Sequence, residues 1–167
     1  MITALVLANG RLDALATTLS ALIPAVADGL IGDAVVLTPA PDQQAERVAV
    51  AVGAAFVVAA GGDPWPHGAA VARREWVLCL EAGDLPSEGW IRTLERFVAL
   101  APHDRRFGRL PRRHATITAR LRALGAIGRS RRLRPGDLIH RSLLHDTALR
   151  TRPATLGAFV ERDPAFG

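Results

Sequence analysis

The chain contains no lysine; all 21 of its basic residues are arginine. That removes every candidate for a Schiff base and every lysine that could grip a phosphate. A single cysteine, Cys79, excludes an internal disulfide and makes a reducing cytoplasm the expected compartment. Cys79 sits inside an apolar run and reads as core packing, not redox or metal chemistry. No window reads as a membrane span. The most apolar long one, Leu12 to Ile31, contains Asp13, Pro24 and Asp28, which a lipid-exposed helix would not carry cheaply. Residues Met1 to Ala8 are too short for a signal peptide's apolar region and lack a basic lead-in. The five histidines show no zinc spacing with cysteine or with each other.

What is present points to a globular protein. The 167 residues are 49% hydrophobic, with mean hydropathy +0.17, enough for one domain with a sizeable core. Net charge is +5, unevenly placed: eleven arginines fall between Arg105 and Arg134, where there is no Asp or Glu. Such a block can serve nucleic acid, an acidic membrane surface or another acidic partner, or a phosphorylated ligand. It would allow a peripheral position at the inner membrane face. Nucleic acid is the weakest choice, because Phe107 is the only aromatic in the block available to stack on bases.

Periodicity supplies the architecture. Met1 to Ala8 reads as a buried strand, Asn9-Gly10 as a turn, and Leu12, Leu15, Leu19, Leu22 and Val26 as one helix stripe. Ala34 to Leu37 is a second strand, and Pro41 suits the first position of the helix carrying Ala45, Val48, Ala49 and Val52. Ala54 to Ala60 is a third strand, Pro66 to Arg73 a short helix, and Trp76 to Leu80 a fourth strand. Pro86 to Glu88 open an amphipathic helix through Trp90, Leu94 and Val98. Strands alternating with helices argue an α/β domain with a mostly parallel sheet and helices on both faces. Beyond Pro102 the pattern loosens: strands at Arg105 to Leu110, Leu138-Ile139 and Leu156 to Val160, a helix through Ile117, Leu121 and Leu124, a basic connector from Gly125 to Pro135, and a last helix capped by Ser142.

The chemistry gathers at the end of the fourth strand. There Glu81 and Asp84 flank Gly83, just where open α/β sheets bind ligands. In an extended strand Glu81 and Gly83 share a face and Asp84 points away, so only a turn at Gly83 brings the two carboxylates together. Trp65, in a Gly/Pro loop, is the tryptophan free to stack on a base or sugar. Solvated acids in a turn remain the plain alternative.

These residues resemble family 2 glycosyltransferases of a short bacterial type. ALVLANGRLDALATTLSALIPAVADGLIGDAVVL resembles that family's first strand, helix and second strand, with Asn9, Arg11, Leu15, Leu19 and Leu22 matching. HGAAVARREWVLCLEAGDLPSEGW resembles the segment whose strand carries a metal-binding Asp-x-Asp, and RLRPGDLIHRSLL resembles a later Gly-Asp piece. The resemblance implies the Rossmann-like GT-A fold. Residues 1–167 would form one domain, with 1–104 the nucleotide-sugar-binding half and 105–167 a shortened, Arg-rich acceptor half. It implies nucleotide-diphosphate-sugar binding by Ala8, Asn9, Arg11, Thr38, Glu81, Asp84 and Arg134, with a divalent cation, Mg or Mn, on Glu81 and Asp84. Asp137, Glu161 and Asp163 are the candidates for a catalytic base.

The motifs are degenerate. Thr38-Pro39 stands where the family has a nucleoside-holding aspartate, and Gly83 stands at the second metal aspartate. Arginine can replace part of a metal's work on phosphate, and Arg131, Arg132 and Arg134 lead into Gly136-Asp137. Two readings therefore stay open. One is a transferase-like protein that transfers or only binds a sugar nucleotide, weakened or inactive as an enzyme. The other is a non-catalytic module whose arginines, Arg112, Arg113, Arg131 and Arg132 among them, hold an acidic partner. LVLANGR also looks like the opening of sugar nucleotidyltransferases, but those need a glycine-rich loop and a lysine that this chain lacks.

Overall fold

The structure is a computed structural model that describes residues 1–102, 106–113, 133–145 and 152–166. The expected helix through Ile117, most of the connector from Gly125, and Arg131 and Arg132 lie outside the described residues.

The first strand, β1 (Ile2–Leu7), carries apolar side chains on both faces. It turns at Gly10, whose φ of 81° suits a residue without Cβ. The expected single helix is broken at Leu22 into α1 (Leu12–Ala21) and α2 (Ile23–Ala27), with Pro24 in the first turn of the second piece. Then come β2 (Ile31–Thr38) and α3 (Gln43–Ala51). Asp42, not Pro41, starts that helix: its carboxylate accepts the Gln44 and Ala45 N–H groups, both at 3.0 Å. Next are β3 (Ala55–Val58) and α4 (Pro64–Val71), the latter capped by Asp63 and begun two residues earlier than expected. The fourth strand, β4 (Trp76–Glu81), is as the apolar run foretells.

After Gly83 the chain departs from expectation. Residues Asp84–Pro86 form a short strand, β5, and α5 (Trp90–Leu100) starts only at Trp90. Backbone bonding explains the delay. Ser87 donates its N–H to Phe159 O at 2.9 Å, and the Ser87 hydroxyl accepts the Phe159 N–H at 3.1 Å, so 84–87 is drawn out against a later segment. Asp84 therefore caps no helix. Later elements are β6 (Phe107–Arg109), β7 (Arg112–Arg113), β8 (Asp137–His140), a 3₁₀ turn (Arg141–His145), β9 (Ala154–Thr155), β10 (Val160–Arg162) and a final 3₁₀ turn (Pro164–Phe166).

The main sheet has the order β3-β2-β1-β4-β8-β6-β9. Its first four strands are mutually parallel; β8 runs antiparallel to β4 and to β6. Strand alternation sends Ala4, Val6, Leu78 and Leu80 to one face with Leu15, Leu19, Trp90 and Leu94. Leu5, Val77 and Cys79 go to the other, with Trp65 and Ala69 of α4. Helices thus cover both faces of a mostly parallel sheet. Trp65 is buried in that second core and is not free to stack on a ligand. Burial holds the Cys79 thiol well above its ordinary pKa, with Asp137 and Asp63 adding to the push. Among the described residues no helix is long and apolar enough to cross a membrane.

The second sheet is small, in the order β5-β10-β7. It holds Arg162 opposite Asp84 and Val160 opposite both Arg112 and Pro86.

Gly136 locks β8 against the neighbouring backbone. Its φ is 93°, and a Cβ there would lie 2.4 Å from the Leu110 carbonyl oxygen. By contrast Gly61, at φ 76°, has open space around it. Gly136→Ala should lower unfolding free energy in urea by well over the ~1–2 kcal/mol of a left-handed alanine, and Gly61→Ala by no more than that amount.

Candidate functional site

Strand order puts the reversal of winding between β1 and β4: β2 and β3 are added on one side of β1, and β4 on the other. The carboxyl ends of these strands carry the residues that sequence picked out. Asn9 follows β1 and its side-chain amide donates to Ala82 O at 3.2 Å, stitching the two strand ends together. Its Oδ1 accepts the Arg11 N–H at 3.3 Å. Arg11 itself is exposed, pairs with Asp13, and lays its guanidinium 4.7 Å from the Phe166 ring centre.

Gly83 makes the turn that its sequence position suggests, at φ 96°. The turn is held by Thr18, whose hydroxyl accepts the Gly83 N–H at 2.8 Å and donates to Asp84 O at 3.1 Å. Glu81 and Asp84 converge as a result. What lies between them is the guanidinium of Arg112, bonded to Glu81 Oε2 at 2.9 Å and to Asp84 Oδ1. Glu81 Oε1 meets Arg162 Nη1 at 3.2 Å, and Asp84 Oδ2 accepts the Glu81 N–H at 2.9 Å. All four carboxylate oxygens therefore already have a protein donor.

This arrangement does not fit a divalent cation, which needs several free oxygen ligands converging on one point. Gly83 offers no third carboxylate, and a Cβ there would lie 3.2 Å from Phe166, which covers the turn. Among the described residues no group of three or more His, Cys, Asp or Glu is placed to hold a metal. Burial pushes the Asp84 carboxyl above its ordinary pKa, and Arg112 pulls it part of the way back. Burial opposes the charge of Arg112, but Asp84 and Glu81 outweigh it and raise its pKa.

Asp137 is fully buried in a second ion pair. Arg109 grips both its oxygens, with Nη2 to Oδ2 at 2.8 Å, and the Arg134 N–H reaches Oδ2 at 2.9 Å. Burial raises the Asp137 pKa against the pull of Arg109. Glu161 is exposed and lies 3.9 Å from Arg113. Asp163 is engaged locally: its N–H donates to Gly83 O at 2.9 Å and its carboxylate accepts the Ala165 N–H at 2.9 Å. The structure does not bring these three acids together.

Thr38 and Ala8 belong to a different hollow, of about 350 Å³, at the ends of β1 and β2. Gly10, Pro39, Pro41, Gln43 and Gln44 also line it; Glu81 and Asp84 do not. The Thr38 hydroxyl is buried and has no hydrogen-bond partner among the described residues. Sequence reasoning missed Arg112 and Arg162 as partners of the acids. Arg112 stands in a run of similar arginines, and Arg162 adjoins Glu161 and Asp163, so neither carried a distinguishing signal.

No family model and no curated protein matches the chain. Solved structures do. Mannosyl-3-phosphoglycerate synthase from Rubrobacter xylanophilus superposes with a TM-score of 0.64 at 14% identity, over 86% of this chain and 54% of that one. Glucosyl-3-phosphoglycerate synthase from Mycobacterium tuberculosis in complex with UDP gives 0.61 at 17% identity, over 86% and 57%. The same enzyme with Mn2+ and UDP-glucose gives 0.58 at 17%, over 86% and 57%. The fold is therefore the Rossmann-like GT-A type, and the chain spans a little over half the length of these neighbours.

The buried acid and the exposed one should separate under mutation. Asp137→Ala strands the Arg109 charge and should cost about 3 kcal/mol or more, whereas Glu161→Ala should stay within about 0.5 kcal/mol, both read by urea denaturation.

Proposed function

We propose that this chain is a glycosyltransferase-like protein that binds a nucleotide-diphosphate sugar at the carboxyl ends of β1 and β2. The observation that carries this reading is the Thr38 hydroxyl, buried and unpartnered among the described residues, on the wall of a hollow of suitable size. A buried polar group without a partner is costly, and a hydrogen-bonding ligand or water beside it offsets that cost. Gln43 and Gln44 bring further amide groups to the same wall. The fold supports the choice of ligand class, because several neighbours of the same fold are complexes with UDP or UDP-glucose.

Binding is better supported than transfer. Transfer needs a carboxylate free to take the acceptor's proton. Asp137 is sealed under Arg109, Asp163 is occupied by backbone, and Glu161 faces solvent beside Arg113. The competing reading, a basic surface for an acidic partner, is weakened by Arg109 and Arg112. Both turn inward onto acids.

Calorimetric titration of the chain with UDP-, GDP- and dTDP-sugars tests the proposal. One nucleotide class should bind, and Thr38→Val should weaken it about fivefold, the worth of one neutral hydrogen bond. Silence across the panel, or binding indifferent to Thr38→Val, overturns it.

A further inference from the structure

The corner at the end of β4 has the acids that the resemblance assigns to a metal, and each of their oxygens is already bonded within the protein. We propose that Arg112 and Arg162 together are its resident cation, doing the electrostatic work of a divalent ion, so that this corner neither binds nor needs one.

Charge balance is the first support. Glu81 and Asp84 carry two negative charges, and the two guanidiniums return two positive ones, the same sum that a divalent ion would leave. Saturation is the second. Arg112 bridges the two carboxylates, Arg162 takes the remaining oxygen of Glu81, and the Glu81 N–H takes that of Asp84. The third is delivery. Both arginines arrive on strands of the small sheet, Arg162 in register with Asp84 and Arg112 one strand further on, so their placement is set by backbone pairing. Long flexible side chains on an open surface would carry little weight; these are largely buried and fixed from both ends. Guanidinium also suits the task, since its fork of donors meets paired oxygens as a point charge cannot.

The corner is consequently neutral and closed to metals, and any diphosphate drawn to it would meet guanidinium N–H groups instead of an ion. That last step rests on the nucleotide reading above; the closure to metals does not.

Titrating Mn2+ into the ligand-free full chain, with free Mn2+ followed by electron paramagnetic resonance, tests the proposal. The parent should take up no Mn2+ below about 1 mM, the weak end of carboxylate sites. The double variant Arg112→Gln/Arg162→Gln frees both acids and should bind Mn2+ at least about tenfold more tightly, with Mn2+ restoring part of its lowered melting temperature. If the double variant does not fold, Arg162→Gln alone leaves the Arg112–Asp84 pair intact and should still raise Mn2+ uptake over the parent. Mn2+ binding by the parent that Glu81→Gln abolishes would overturn the proposal. So would folded variants as indifferent to Mn2+ as the parent. Because no nucleotide is present, this test can fail while sugar-nucleotide binding persists, and the reverse.

Discussion

The guanidinium of Arg112 between Glu81 and Asp84 ties the two sheets of this protein together. On one side it reaches the end of the central strand and the turn at Gly83; on the other it belongs to the small sheet in which the later strands β7 and β10 join β5. Taking such charges out of water is costly, and the cost is recovered only when each has partners in good geometry. Here every carboxylate oxygen has a donor, and Thr18 holds the intervening turn from beneath. The Arg109–Asp137 pair repeats the device where β6 meets β8. Two buried acids thus fix how the irregular later half docks on the regular first half.

Much of the first half was legible because its signals are local. Apolar runs bounded by Gly and Pro marked β1 to β4, and leucine spacing marked α1. Even the meeting of Glu81 and Asp84 followed from a glycine placed between them. One error arose where a distant segment overrode local preference, another where a neighbouring side chain did. Pro86, Ser87 and Glu88 look like a helix start, yet the bonds between Ser87 and Phe159 draw them into a strand. Pro41 looked like the first helical position, but the Asp42 carboxylate could satisfy two N–H groups and took the cap instead.

The arginines were the least legible part. Eleven of them in thirty residues look alike on paper, and their evident reading was a basic face for an acidic partner or a phosphorylated ligand. Which one turns inward is decided by register between strands distant in sequence, a property that no single position displays. The family resemblance pointed to Arg131, Arg132 and Arg134 for the cation's role; the first two lie outside the described residues, and the arginines that meet Glu81 and Asp84 are Arg112 and Arg162. A fold can persist while the groups that did its chemistry are exchanged, and shape alone does not identify the task.

The positions of the two arginines also impose an order in time. Glu81 ends β4, which pairs with the earlier β1, whereas β5, the strand of Asp84, pairs among the described residues only with the later β10. The counter-charges of both acids come later: Arg112 is 28 residues beyond Asp84, and Arg162 sits on β10, the last strand among the described residues. A nascent chain holding the regular half therefore carries two uncompensated carboxylates at its rim, and their neutralisation waits for β7 and is completed by β10.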